Sequence, residues 1–94
     1  MLVTVRFVGS LRAVSKRAEI TLTFGRSVSL RDVINSVVEH QPALSGVLID
    51  LELGDTRKDV LMLVNEKDTS VLNGLETMLH DEDEVVFVPV VHGG

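Results

Sequence analysis

The residues with the clearest chemical potential are the last three, His92-Gly93-Gly94, which follow an unbroken apolar run from Val85 to Val91. Glycine costs backbone order and packs nothing, so a Gly-Gly pair is a poor way to finish a fold. It is a good way to deliver a carboxylate. Without a Cβ on either residue, the end of the chain can thread a narrow channel and lay its terminal carboxyl beside a nucleotide. Chain ends are where order is ordinarily lost. With glycine at about 7% of average composition, two in succession arise by chance in roughly one chain in 200. The remainder of the chain must therefore decide between a working end and a frayed one.

The other chemistry-bearing residues are scattered. There is no cysteine, which excludes disulfides, thiolate metal sites and a cysteine nucleophile, and leaves any sulfur to come from elsewhere. His40, His80 and His92 lack the close spacing of metal ligands, so no metal site is expected. His40 reads as a helix end, His80 as a surface turn, and His92 as an exposed tail residue, with orienting the tail or polarising its carboxylate as the alternative role. Asp81-Glu82-Asp83-Glu84 reads as a solvated turn rather than a cation site. Lys16, Lys58 and Lys67 are acceptors for isopeptide bonds if chains form, with nothing to rank them.

Ninety-four residues make one small domain, with a core of Val, Leu and Ile that favours sheet. A net charge of −5 argues against nucleic-acid binding through a basic patch. The absence of a transmembrane-length apolar run or a signal-peptide pattern leads to the expectation of a cytoplasmic protein without membrane contact.

Val3, Val5 and Phe7 alternate on one strand, and Ile20, Leu22 and Phe24 on a second, with Gly9 to Arg17 long enough for the hairpin loop between them. Ser29, three residues before Asp32, opens a helix whose apolar set is Leu30, Val33, Ile34, Val37 and Val38, stopped by His40-Gln41-Pro42. Residues 43–59 read as a connection packed on the core, with a turn at Gly54-Asp55 and a short strand near Leu51. Val60 to Val64 is a strand apolar on both faces, so its parity stays open. Asn65 to Asp68 turns the chain, and Leu72 to Leu79 holds a short strand or helical turn. The last strand is apolar on both sides and is expected to be central, with regular pairing ending near Val88 because Pro89 cannot donate.

This order of elements resembles the β-grasp, or ubiquitin-like, fold. It is an α+β architecture with a mixed sheet of four to five strands, covered on one face by one main helix. The expected division is a domain over 1–91 and a flexible tail over 92–94. From Val60 onward the chain resembles the eukaryotic ubiquitin-related modifier. The segments that carry this are Val60-Leu61-Met62-Leu63-Val64-Asn65-Glu66-Lys67-Asp68, Leu72, Gly74-Leu75-Glu76, Leu79-His80-Asp81-Glu82-Asp83, Val85 to Val88 and the His-Gly-Gly ending. The first third is similar instead to the small subunit of molybdopterin synthase, through Val3 to Val8 followed by Gly9-Ser10-Leu11-Arg12. The chain lacks the modifier's longer middle segment, and departs from the synthase subunit in Val-Val-His before the glycines.

The resemblance implies a sulfur carrier. Gly94 would be adenylated by an activating enzyme of the ubiquitin-activating type, then converted to a thiocarboxylate by a sulfur donor protein. ATP and Mg²⁺ would be bound by the partner, so the chain itself needs no cofactor and no catalytic residue. The sulfur would go to tRNA thiolation, or to molybdopterin synthesis with this chain as the small subunit beside a large one. Alternatively, Gly94 would be ligated to lysines as a protein modifier. The face that docks on the activating enzyme would be the one away from the helix, comprising Arg6, Val8, Val86 and Val88, with Met62 added on an arbitrary choice of parity. Arg12 is a further candidate contact, or a cap on the loop after the first strand.

Overall fold

A computed structural model describes residues 1–50 and 52–90. In chain order the elements are β1 (Leu2–Phe7), α1 (Ser10–Ser15), β2 (Glu19–Thr23), β3 (Val28–Ser29), α2 (Leu30–His40), β4 (Ile49–Asp50), β5 (Asp55–Thr56), β6 (Val60–Val64), β7 (Lys67–Asp68), β8 (Met78–Leu79) and β9 (Asp83–Pro89). Single 3-10 turns sit at Pro42–Leu44, Thr69–Val71 and Gly74–Glu76.

Five strands form the main sheet in the order β2-β1-β9-β6-β7. β1 runs antiparallel to β2 and parallel to β9, while β6 runs antiparallel to β9. The result is the mixed β-grasp sheet, with the last strand at its centre as its two apolar faces require. Val3, Val5, Val85 and Phe87 are fully buried, and Phe7 lies with its ring 5.9 Å from that of Phe87. α2 closes this face with Leu30, Val33, Ile34 and Val37.

Helix α2 begins where a reciprocal cap can form. The Asp32 N–H donates to Ser29 Oγ at 3.2 Å, and the Ser29 N–H donates to Asp32 Oδ2 at 3.1 Å. That backbone donor, aided by the Ser29 hydroxyl and by Arg26 and Arg31, holds the Asp32 carboxyl below its ordinary value of 3.8. A depressed acid stabilises the fold above its unfolded-state pKa and loses that contribution as pH falls through the folded one. The stability advantage of the native chain over Asp32→Asn, measured by urea unfolding, is therefore expected to be full at neutral pH and to shrink progressively below pH 3.8.

Two sequence expectations need correction here. The Gly9–Arg17 loop contains a short helix, α1, which buries Leu11 and Ser15 against the core. One turn with two buried residues is too brief for periodicity to announce, since helices of that length are held by packing. Leu44 and Leu48 are fully buried in the connection as expected, and the short strand expected near Leu51 is β4, which pairs with the two-residue β5 in a hairpin. Leu51 itself lies outside the described residues.

The second correction concerns Pro89. It does pair, opposite Val60 on β6, and the Val90 N–H still donates to the Asp59 carbonyl at 2.8 Å. On the other side, Val8 donates to the Phe87 carbonyl at 3.2 Å. The next rung of that parallel ladder would run from the residue-89 N–H to Val8. Proline cannot supply it, so β9 parts from β1 there while still held by β6.

Candidate functional site

Strand β9 is the element that carries the chain toward its final residues, and three features fix how it does so. At its start, Asn65 lies in a tight turn between β6 and β7, where Asn65 and Glu66 both have positive φ (49° and 71°). Its amide Nδ2 donates to Asp83 Oδ1 at 2.8 Å, and its Oδ1 accepts from the Glu84 N–H at 2.9 Å. The acidic segment is thus a built turn. Asp81 Oδ1 accepts from the Leu2 N–H at 2.7 Å, and Asp83 Oδ2 from the His80 N–H at 2.7 Å. These carboxylates register β9 against its neighbours, a role that their charge alone did not disclose.

At its far end, Gly9 lies against Pro89. Gly9 has φ 58° and ψ −131°, the mirror image of an extended conformation, which side chains avoid. A Cβ there would stand 3.2 Å from Pro89 Cγ. Gly9→Ala is expected to cost about 1–3 kcal/mol in urea unfolding through that backbone strain.

The third feature is the sheet face away from α2. Across β1, β9 and β6 the register places Arg6 beside Val86 and Val86 beside Leu63, with Val88 beside Leu61. Val8 is 42% exposed, and Val86, Val88, Leu61 and Leu63 are half-buried on this face. Five apolar side chains therefore form a patch around the end of β9. Contiguous exposed apolar surface of this kind is characteristic of partner sites. Arg6 borders the patch, 3.7 Å from Glu84 and 3.9 Å from Glu19. Such solvent-exposed pairs add little to stability, and they hold a cation at the patch margin.

Of the docking residues expected from sequence, Arg6, Val8, Val86 and Val88 come together here. Met62 does not. It is 2% exposed, pairs with Phe87 and points into the core with Val60 and Val64. Strand β6 has the opposite parity, so Leu61 and Leu63 occupy the outer face. A run of five apolar residues hides parity, and only the pairing with β9 reveals it. Arg12 is exposed on α1 with no ion pair among the described residues, while its carbonyl accepts the Lys16 N–H at 2.9 Å. His92, Gly93 and Gly94 lie outside the described residues.

The described helices include none long and apolar enough to cross a membrane. The ThiS family model matches residues 5–94. Ubiquitin-related modifier 1 of Vanderwaltozyma polyspora is 31% identical, over 98% of this chain and 97% of that protein. Ubiquitin-related modifier 1 homolog 1 of Arabidopsis thaliana is 48% identical over 42 residues, 44% of this chain, and the match spans only 42% of that relative's length. Among solved structures, small archaeal modifier protein 1 from Methanosarcina acetivorans superposes with a TM-score of 0.83 at 30% identity, covering 99% of this chain and 96% of that one.

Proposed function

The chain belongs to the ThiS family of ubiquitin-like sulfur carriers, and on that premise we propose that its chemistry is confined to the Gly94 carboxylate. One carboxylate oxygen attacks the α-phosphorus of ATP on an activating enzyme, and pyrophosphate leaves. A sulfide nucleophile from a donor protein then attacks the acyl-adenylate carbonyl, and AMP leaves. Gly94 ends as a thiocarboxylate. The partner binds ATP and Mg²⁺; this chain contributes the docking face and the reacting carboxylate.

The observation that best supports this is the position of the apolar patch. Val8, Val88 and Leu61 surround the point where Pro89 releases β9 from β1, so an enzyme seated on the patch would have the following residues within reach. The receiver of the sulfur is an enzyme of tRNA thiolation or the large subunit of molybdopterin synthase.

Intact-mass measurement on protein purified from its native host tests the proposal. Replacement of one C-terminal oxygen by sulfur supports it. A plain carboxylate that also stays plain after incubation with activating enzyme, ATP and sulfur donor overturns it. Modification of lysines is a second reading, favoured by relatives whose own names are modifiers. Its signature is a Gly-Gly remnant on lysines of other proteins after proteolysis.

A further inference from the structure

The main sheet has two edges, and they are protected very differently. β7 is two residues long, and shortness is a common protection against unwanted pairing. β2 has five residues, Glu-Ile-Thr-Leu-Thr, and pairs among the described residues with β1 alone. It holds no lysine, proline or glycine to discourage a further strand.

The register fixes which of its groups are free. The Phe7 N–H donates to the Ala18 carbonyl at 2.9 Å, and Phe24 and Met1 exchange hydrogen bonds at the opposite end. In an antiparallel ladder this alternation gives residues 18, 20, 22 and 24 to β1. The N–H and C=O groups of Glu19, Thr21 and Thr23 therefore point outward along the open edge.

Beneath the edge, toward the end of α2, runs a groove whose apolar lining is Val14, Ile20, Pro42 and Ala43 and whose charged lining is Lys16, Arg17 and Glu19. The two cations are exposed and have no carboxylate within ion-pair distance among the described residues. Their backbone is fixed: Lys16 caps α1 in the left-handed region, and buried Ser15 Oγ donates to the Arg17 carbonyl at 2.7 Å and accepts its N–H at 3.1 Å. A chain of net charge −5 thus sets two exposed cations beside its open edge. Glu19, the one acid in the lining, is 3.9 Å from Arg6, which offsets its charge.

From this we infer that β2 is a docking edge for an extended, acidic segment of a partner protein, which adds to the sheet as a further strand. Backbone hydrogen bonds to Glu19, Thr21 and Thr23 would hold it. Alternate apolar side chains would enter the groove, and flanking carboxylates would meet Lys16 and Arg17. A second copy of this chain fits poorly. Its own β2 offers one acid, Glu19, already beside Arg6, and no acidic residue in the two positions on either side of the strand to meet Lys16 and Arg17. The free edge of β2 faces away from β1, whereas the patch centres on β9 and β6 and reaches only Arg6 and Val8 on that side, so both sites can be occupied together.

The test is amide NMR of the whole chain titrated with a synthetic peptide alternating valine and threonine behind two glutamates. Shifts and slowed amide exchange centred on Glu19, Thr21 and Thr23 are expected. Exchanging the peptide glutamates for lysines, or making Lys16→Glu with Arg17→Glu in the protein, should weaken binding about tenfold or more. Thr21→Pro should abolish binding while sparing the β1 ladder, since that N–H faces away from β1. If that variant loses its fold, N-methylation of alternate peptide residues removes the same hydrogen bonds and must abolish binding. Shifts centred on Val86 and Leu63, equal binding of the lysine peptide, no shifts at millimolar peptide, or self-pairing through β2 without peptide would each overturn the inference. None of these outcomes depends on the fate of Gly94.

Discussion

Deletion of Gly94 should lower the rate of adenylation by the cognate activating enzyme at least about a hundredfold, measured as ATP–pyrophosphate exchange. One residue of extended chain spans about 3.5 Å. A carboxylate withdrawn by that distance can no longer sit in the near-attack range of roughly 3–3.5 Å from the α-phosphorus, where displacements of about 1 Å already cost some hundredfold. The docking face is untouched, so affinity for the enzyme should change little, and the loss should fall on kcat rather than KM. Gly94→Ala keeps the reach but adds a methyl group at the reacting residue, and a smaller loss is expected. Unchanged exchange by the deletion variant would remove the foundation of the proposed function.

The second large effect comes from two adjacent residues of β6. Met62→Asp places an unpaired carboxylate among Phe87, Val60 and Val64, at a position 2% exposed. Burial of a charge without a partner costs several kcal/mol, against a total stability of about 5–15 kcal/mol for a domain. That variant should be largely unfolded by circular dichroism. Leu63→Asp puts the same charge on the outer face beside Val86. It should keep its native spectrum and instead raise KM for the activating enzyme, by about thirtyfold if Leu63 carries the 2 kcal/mol of an interface hot spot. Loss of fold in both variants, or a KM effect confined to Met62, would contradict the strand parity and with it the docking surface.

The contrast marks where sequence patterning ends. β1 and β2 carry polar residues at alternate positions, so their faces are legible from period alone. α2 is legible from its Ser29–Asp32 cap and apolar spacing. β6 is apolar throughout because it must fill the core on one side and offer Leu61 and Leu63 on the other. Two demands of like chemistry leave no pattern, so Met62 was as plausible a surface residue as either leucine. Asn65 is hidden for a different reason. Its side chain bonds Asp83 and Glu84 across 18 and 19 residues of sequence, and no local window contains both partners. α1 is held by tertiary packing of Leu11 and Ser15 rather than by propensity. The chemistry proposed for the Gly94 carboxylate rests on the final glycines, the missing cysteines and a family resemblance, and Gly94 itself lies outside the described residues.

The central position of β9 also has a consequence for how the molecule is made. Val3 pairs with Asp83, eighty residues later, so the β1–β2 hairpin and the β6–β7 hairpin have no common neighbour until β9 joins them. Contacts of such long range are slow to form, because the loop must close before any pairing rewards it. Of the five strands, β9 is also the last to leave the ribosome. A nascent chain lacking it has an incomplete sheet, half a docking patch and an exposed apolar face, the kind of surface that chaperones and proteases recognise. If Gly94 is activated as proposed, folding would act as a proofreading step, because the strand that closes the sheet also leads toward that carboxylate. An enzyme docked on the patch would meet only chains that have finished assembling.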